Sequence, residues 1–533
     1  MDSAEYTFSY ASPSWADSIR AFLSQFSNIF SVFSPHIAPT YHHDRCERSV
    51  QMRLYSLNKR QFVLVFATFF LFFGVSVLIG VAGPPIIETV SQNASSLRQV
   101  TPDLKTGPFH LKSPPMSTFH QQLWLIGSID ADNAGMAKFE QEFTVSVQIR
   151  AIQKNEKLKE LFDNPNLTGE IHNHTRNLRC AHKCDDLILM HLGFLDYSNY
   201  IITVRFFGLE NLKYKFENID FHFKSYNVNF TQLEIWLRFV FLVFTFITAC
   251  LFAHSLRKFS IKDWSIEQRW IAVLLPLLLL YNDPIFPLTF LVNSWLPGML
   301  DGIFQATFLC ALLLSWLCLY HGIRQTDRRF SKFYLPKLIV VGLLWIAAVT
   351  LASWEQYNEL RDPTFYYRLD HSNFMGIKVC FFIVGGIYLV YLSYLLIQAF
   401  AELQTMPYFD IRLKFLTVFM LIILVVSVAI TFLRFGGSML QDNFVSELTT
   451  RYQNSVEFVS FYGLLNFYLY TMAFVYSPSK NAIYETHFKD NPALSMLNDS
   501  DEEVHYGSDQ EEVSLTSRQR QMNRYDTDDD TFH

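Results

Sequence analysis

An apolar run that breaks in its own middle constrains this chain more than any other feature. Residues 270–301, WIAVLLPLLLLYNDPIFPLTFLVNSWLPGMLD, begin as a segment apolar enough to enter a bilayer; a spanning helix needs roughly 20 such residues. Asn282, Asp283 and Pro284 stand in the middle, and Pro287 follows. Each proline removes a backbone donor and clashes with the preceding turn. A carboxylate at that depth costs at least about 2.5 kcal/mol unless it faces protein or water. Broken backbone survives there only where neighbours satisfy the freed polar groups. The stretch predicts a multi-pass helical membrane protein with Asp283 facing into a bundle. A binding cavity or switch point at the break is one reading. A satisfied kink, with Asp283 capping the restarted helix, is the other.

Composition agrees with that class. Hydrophobic residues make up 50% of the 533, Phe alone numbers 52, and only 17% are charged. A net charge of −6 offers no basic field for nucleic acid. The first apolar run follows a long polar lead, so it reads as a retained signal anchor rather than a cleaved peptide.

Taken in order, residues 1–61 form an N-terminal segment. Trp15, Ile19, Phe22, Phe26, Ile29 and Phe33 recur there at helical spacing with serines between them. Such a face suits a lipid-packing helix, or a segment that packs on the bundle or stays disordered. Cys46 is a candidate for acylation. Residues 62–82 are the first span. Arg53, Lys59 and Arg60 precede it and place the N-terminal side in the cytosol. Residues 83–232 are then lumenal or extracellular, and four glycosylation sequons, at Asn93, Asn166, Asn173 and Asn229, fall in them. Residues 143–149 and 219–224 alternate as half-buried strands do. Residues 123–129, 187–192 and 201–207 are further strand candidates, and together they predict a small antiparallel sandwich. Residues 154–162 read as a charged, helix-prone excursion.

Residues 233–476 carry seven more spans, with apolar cores at 235–252, within 270–301, and at 303–320, 338–354, 377–397, 415–433 and 458–476. Basic residues gather at alternate connections: Arg257, Lys258, Lys262 and Arg269; Arg324, Arg328, Arg329, Lys332 and Lys337; Arg412 and Lys414. That bias predicts both termini in the cytosol. Residues 477–533 hold 13 acidic against 5 basic residues and read as a disordered tail. Ser500 and Ser508 head acidic kinase-type sites. The tail either is read by sorting adaptors or keeps the chain soluble.

Cys180 and Cys184 are the two cysteines of the 83–232 block, with His172, His174 and His182 nearby. A zinc site is compatible with the spacing; an oxidising compartment favours a disulfide. His254 and His321 are too few, and too far from Asp283, for a membrane zinc hydrolase. No catalytic residue, metal or cofactor is expected. Glu457, Tyr462 and Asn466 are expected to line the bundle interior or to make ordinary interhelical hydrogen bonds.

The broken stretch, the preceding LFAHSLRKFSIKDWSIEQRW (residues 251–270) and FVYSPSKNAIYE (residues 474–485) resemble the GOST family. In that family a lumenal GOLD-type β-sandwich precedes a seven-helix bundle like that of a G-protein-coupled receptor, and Wntless is a relative. The resemblance covers the chain from about residue 52 to the acidic tail. It implies a receptor or trafficking role at the Golgi, endosomes or plasma membrane. It implies as partners membrane lipid and a secreted, lumenal or lipidated protein. It also implies a link to susceptibility to bacterial cytolethal distending toxin. A G-protein-coupled signalling receptor is a first alternative, although no Asp-Arg-Tyr box is present. A channel or transporter is a second, which would want more intramembrane charge than Asp283 and an internal repeat.

Overall fold

Alternating side chains build the first half of the molecule. In β7 (Asn199–Phe207), Tyr200, Ile202, Val204 and Phe206 are fully buried while their neighbours are not. The same period-two pattern recurs at Phe143, Val145, Val147 and Ile149 of β4 (Phe139–Ile152) and at Ile219, Phe221 and Phe223 of β8 (Lys215–Tyr226). The computed structural model describes residues 50–96, 104–132, 139–152, 171–180, 184–210, 215–324, 329–364, 374–403, 407–435, 454–479 and 482. The expected helix at Trp15–Phe33, Cys46, the excursion at 154–162, the Asn166 sequon, His182, Ser500, Ser508 and the acidic tail beyond residue 482 lie outside them.

The remaining strands are β1 (Ile87–Asn93), β2 (Phe109–Lys112), β3 (Leu123–Asp132), β5 (Ile171–Cys180) and β6 (Leu187–Leu192). They form two four-stranded sheets, ordered β1-β8-β3-β6 and β2-β7-β4-β5, with every pair antiparallel. The inward faces meet in one apolar core. Phe109 of one sheet lies 5.3 Å, ring to ring, from Phe221 of the other. Each such buried side chain contributes about 1.5–3 kcal/mol.

Among the described residues, eight helices are long and apolar enough to cross a membrane. They are α1 (Lys59–Val81), α2 (Val228–Leu256), α3 (Ile266–Tyr281), α4 (Trp295–Arg324), α5 (Leu335–Arg361), α6 (Phe374–Leu403), α7 (Pro407–Phe435) and α8 (Ser455–Val475). A 3-10 turn, Phe286–Phe290, completes the α3 crossing. α1 is packed into the bundle rather than set apart. A Cβ on Gly80 would come within 2.6 Å of the Val456 Cα, and one on Gly463 within 2.6 Å of the Ser76 hydroxyl. Small residues on both helices allow this approach, as packing without a hydrophobic driving force requires. Phe66 and Phe69 of α1 meet Phe419 of α7 at 4.9 and 5.1 Å.

The chain before α1 runs beside the chain after α8. The Arg53 N–H donates to the Ser477 carbonyl at 2.8 Å, and the Ser479 N–H to the Gln51 carbonyl at 2.9 Å. Those segments therefore share one end of the bundle, and the sandwich follows the other end of α1.

Several helices outrun the apolar cores that announce them. α5 begins at Leu335 and α7 at Pro407, so Lys337 and Arg412 are helical and buried rather than loop charges. Each has a polar partner inside the fold, which hydropathy does not register. β2 alternates over only four residues, too few to stand out, and β1 and β5 lack a readable alternation. β5 turns His172, His174 and Arg176 toward its partly buried side, where a strand signal needs apolar groups.

Candidate functional site

The site starts where α3 stops. A capping box opens that helix: the Gln268 N–H donates to Ser265 Oγ at 3.2 Å and the Ser265 N–H to Gln268 Oε1 at 3.0 Å. Pro276 is accommodated inside the helix. The end comes at Asn282, because the residue before a proline disfavours helical backbone. Asp283 instead takes φ 50°, a left-handed conformation that Asp tolerates better than most residues. Its N–H donates to the Leu280 carbonyl at 2.8 Å, and its Oδ1 accepts the Ile285 N–H at 3.2 Å. The break is thus a tight turn into the 3-10 segment that carries Pro287, not a kink in a continuing helix.

Asn282 and Asp283 point into different surroundings. Asn282 Nδ2 donates to Thr245 Oγ1 and to Asn466 Oδ1, both at 3.0 Å. Asn466 Nδ2 returns a bond to Asn282 Oδ1 at 3.2 Å, and the Tyr470 hydroxyl donates to Asn466 Oδ1 at 3.1 Å. This network joins α2, α3 and α8, and it is the interhelical role weighed for Asn466. Tyr462 packs on Tyr281 at 4.8 Å. Glu457 lies in the first turn of α8.

Asp283 belongs to an ionic cluster around Arg238 of α2. Arg238 Nη2 lies 2.9 Å from Glu234 Oε1 one turn earlier, and Nη1 lies 2.9 Å from Asp301 Oδ1 on α4. Asp283 Oδ2 is more distant, at 3.8 Å from Nη1. The guanidinium carbon lies over the Phe286 ring at 4.1 Å from its centroid, a cation–π contact. Gln305 donates to Asp301 Oδ1 at 2.8 Å. From the sandwich, Gln121 reaches down to donate to Glu234 Oε2 at 3.1 Å. Three carboxyl groups therefore surround one guanidinium. Glu234, Arg238 and Asp301 escaped the sequence reading, in which Asp283 stood alone; the four-residue spacing of Glu234 and Arg238 inside an apolar run was the signal available.

Two cavities flank Arg238. A polar vestibule of about 130 Å³ lies between sandwich and bundle, lined by Gln121, Gly193, Phe194, Glu234, Arg238 and Asp301 among others. An apolar cleft of about 300 Å³ lies on the other side, lined by Ile235, Trp236, Phe239, Asp283, Pro284 and Pro287 beside Arg238 and Phe286. Trp236 is 68% exposed and Phe239 55%, so the cleft opens where lipid would lie.

Other expected residues fall elsewhere. Cys180 and Cys184 are joined in a disulfide. His172 Nδ1 and His174 Nε2 face Asp362, just after α5, at 3.4 and 3.0 Å; of the residues weighed as zinc ligands, these four thus have other partners, and His182 lies outside the described residues. Arg176 Nη2 donates to the Thr364 carbonyl at 2.7 Å. Burial would raise the Asp362 carboxyl, but hydrogen bonds from His174 and from the Thr364 hydroxyl and N–H hold it below the usual carboxylate range. Asn93 ends β1 and accepts the Ser95 N–H at 2.8 Å. Asn173 lies on β5, and Asn229 in the first turn of α2. At the other end of the bundle, His321 Nδ1 meets Lys337 Nζ at 2.7 Å, and His254 is exposed in the last turn of α2.

Residues 107–226 match the family model of the TMEM181 GOLD domain, and residues 227–480 match that of the Wntless-like transmembrane domain. Human transmembrane protein 181 is 53% identical over 481 residues, which cover 90% of this chain and 98% of that protein. The chain belongs to the transmembrane protein 181 family. Its GOLD domain is the two-sheet sandwich, and its Wntless-like domain begins at Asn227, the N-cap of α2. The Arg238 cluster of this family member sits where the two domains meet, since Gln121 comes from one and Glu234 from the other.

Proposed function

We propose that this protein is a non-enzymatic membrane receptor or cargo carrier that binds a secreted, lumenal or lipidated protein ligand. The sandwich engages the protein part, and the bundle holds a lipid or other hydrophobic moiety. One observation carries this reading: Arg238 lines both a polar vestibule under the sandwich and an apolar cleft open to the side. A ligand with a polar and an apolar part is matched by that pairing. The acidic tail, with Ser500 and Ser508, addresses the complex through sorting adaptors among Golgi, endosomes and plasma membrane, with both termini cytosolic. Glycans on Asn93, Asn173 and Asn229 would mark the sandwich side as lumenal or extracellular. Bacterial cytolethal distending toxin would exploit the same exposed sandwich. Proximity labelling from an enzyme inserted within residues 153–170 tests the reading. A recurrent secreted partner is expected; recovery of G-protein subunits from a label at the tail, with no secreted partner, would contradict it.

A second reading gains support from one observation. The spans bury Glu234, Arg238, Glu267, Lys337 and Arg412 as well as Asp283, which is the intramembrane charge that a channel or transporter wants. Ion flux through the protein in liposomes would favour it over carriage.

A further inference from the structure

We propose that the cleft at the α3 break takes an amphiphile with a protonated amine head, the ammonium seated on the Asp283 carboxylate and the chain lying along Trp236, Phe239 and Pro287. The proposal rests on the reading of the bundle as holder of a hydrophobic moiety, and adds the charge of the head.

Shape sets the apolar part. The cleft of about 300 Å³ is lined by apolar side chains apart from Arg238 and Asp283. Its rim residues Trp236 and Phe239 face outward, so an occupant enters from the bilayer and is apolar along most of its length.

Charge and hydrogen bonding set the head. Arg238 has little left to offer an anion. Its Nε and Nη2 donate to Glu234, its Nη1 and Nη2 donate to Asp301, and Phe286 and Tyr462 rings lie against it. Asp283 is the reverse case. It is 3% exposed, its Oδ1 is held by the Ile285 N–H, and its Oδ2 accepts no hydrogen bond. Buried carboxylate oxygens are ordinarily satisfied, and one left over in low dielectric is costly. An ammonium brings three donors and the positive charge that three carboxyl groups around one guanidinium lack. An alcohol head brings a donor without the charge, and a carboxylate head brings neither. The turn at Asp283–Pro284 holds Asp283 in the cleft lining before any ligand arrives, which lowers the ordering cost of binding.

The test uses the full chain in phosphatidylcholine nanodiscs and three photoreactive probes of equal chain length: a primary amine, an alcohol and a carboxylic acid. Crosslinks are mapped by mass spectrometry. The amine is expected to label residues 235–242 and 283–287 at least ten-fold more than either other probe. Asp283→Asn should bring amine labelling down to the level of the alcohol, and Asp283→Glu should keep most of it. Should Asp283→Asn fail to fold, the ratio of amine to alcohol on the natural chain decides alone. Equal labelling by amine and alcohol, or undiminished labelling of a folded Asp283→Asn chain, overturns the choice of head and leaves the bundle as holder. Labelling of the cleft by none of the three overturns both.

Discussion

Two buried acid–base sites among the described residues of the bundle are built on opposite plans. Near the end of the bundle away from the sandwich, Glu267 of α3 and Arg412 of α7 form one acid–base pair. Both side chains are completely buried, with Arg412 Nε 2.5 Å from Glu267 Oε1 and Nη2 bonded to Oε2. Both Glu267 oxygens are engaged by the one guanidinium, and neither residue lines the vestibule or the cleft. Below the sandwich, Arg238 is shared among three carboxyl groups, one of them 3.8 Å away, with a cavity on either side. A matched, closed pair clamps helices together. A mismatched cluster beside open volume leaves interaction capacity unused in the free protein, which is what a binding site requires and a clamp does not.

The largest effect is expected at the clamp. Arg412→Met leaves Glu267 as a lone buried carboxylate and should destabilise the protein by about 3–5 kcal/mol. Adding Glu267→Gln to it should recover most of that loss, because buried pairs replaced together are often nearly neutral. Thermal unfolding of the detergent-solubilised chain reads both; no recovery in the double variant would mean that the pair does more than balance charge.

A smaller loss is expected in the amide network. Asn282→Ala strands one face of Asn466 and should cost about 1–3 kcal/mol, measured the same way. An unchanged stability would show that α8 repacks around the loss.

Asp283→Asn should shift the stability of the ligand-free protein by less than about 1 kcal/mol. The amide keeps the turn, since Asn also accepts left-handed backbone, and Oδ2 has no hydrogen bond to lose. A loss as large as that of Arg412→Met would make Asp283 a second clamp and erase the contrast.

The smallest effect concerns pH at the sandwich–bundle contact. The Asp362 carboxyl is held below the usual range in the folded state, so its contribution is present above the ordinary carboxylate value near about 4 and fades as pH falls through the lowered one. Energy transfer between labels on sandwich and bundle should change as the Asp362 carboxylate is lost in acid below about pH 4. A change between pH 7 and 5 would assign control of the contact to other groups.

The two plans differ in how legible they were. Eight apolar runs announced eight spans, alternation exposed β4 and β8, and short apolar runs marked β3, β6 and β7 as candidates, because these signals are local. Asp283 was visible because a carboxylate beside proline stands out in an apolar run. Its companions were not: Glu234 and Arg238 belong to another helix, and Asp301 sits at the start of a third, so the cluster exists only once α2, α3 and α4 are packed. Arg412 looked like a loop charge for the same reason, since Glu267 is 145 positions away. The β5 strand was hidden because its inward His172, His174 and Arg176 meet the Asp362–Thr364 segment, a partner no periodicity can reveal.

Double-mutant cycles on the two sites test the contrast most directly. One combines Glu267→Gln with Arg412→Met, the other Asp283→Asn with Arg238→Met, both read as unfolding free energies of the ligand-free chain. A clamp and a binding site predict coupling of at least about 2 kcal/mol in the first cycle and under about 0.5 kcal/mol in the second. Equal coupling in the two would mean that Asp283 is already committed to Arg238, and that the break in α3 is architecture rather than a binding site.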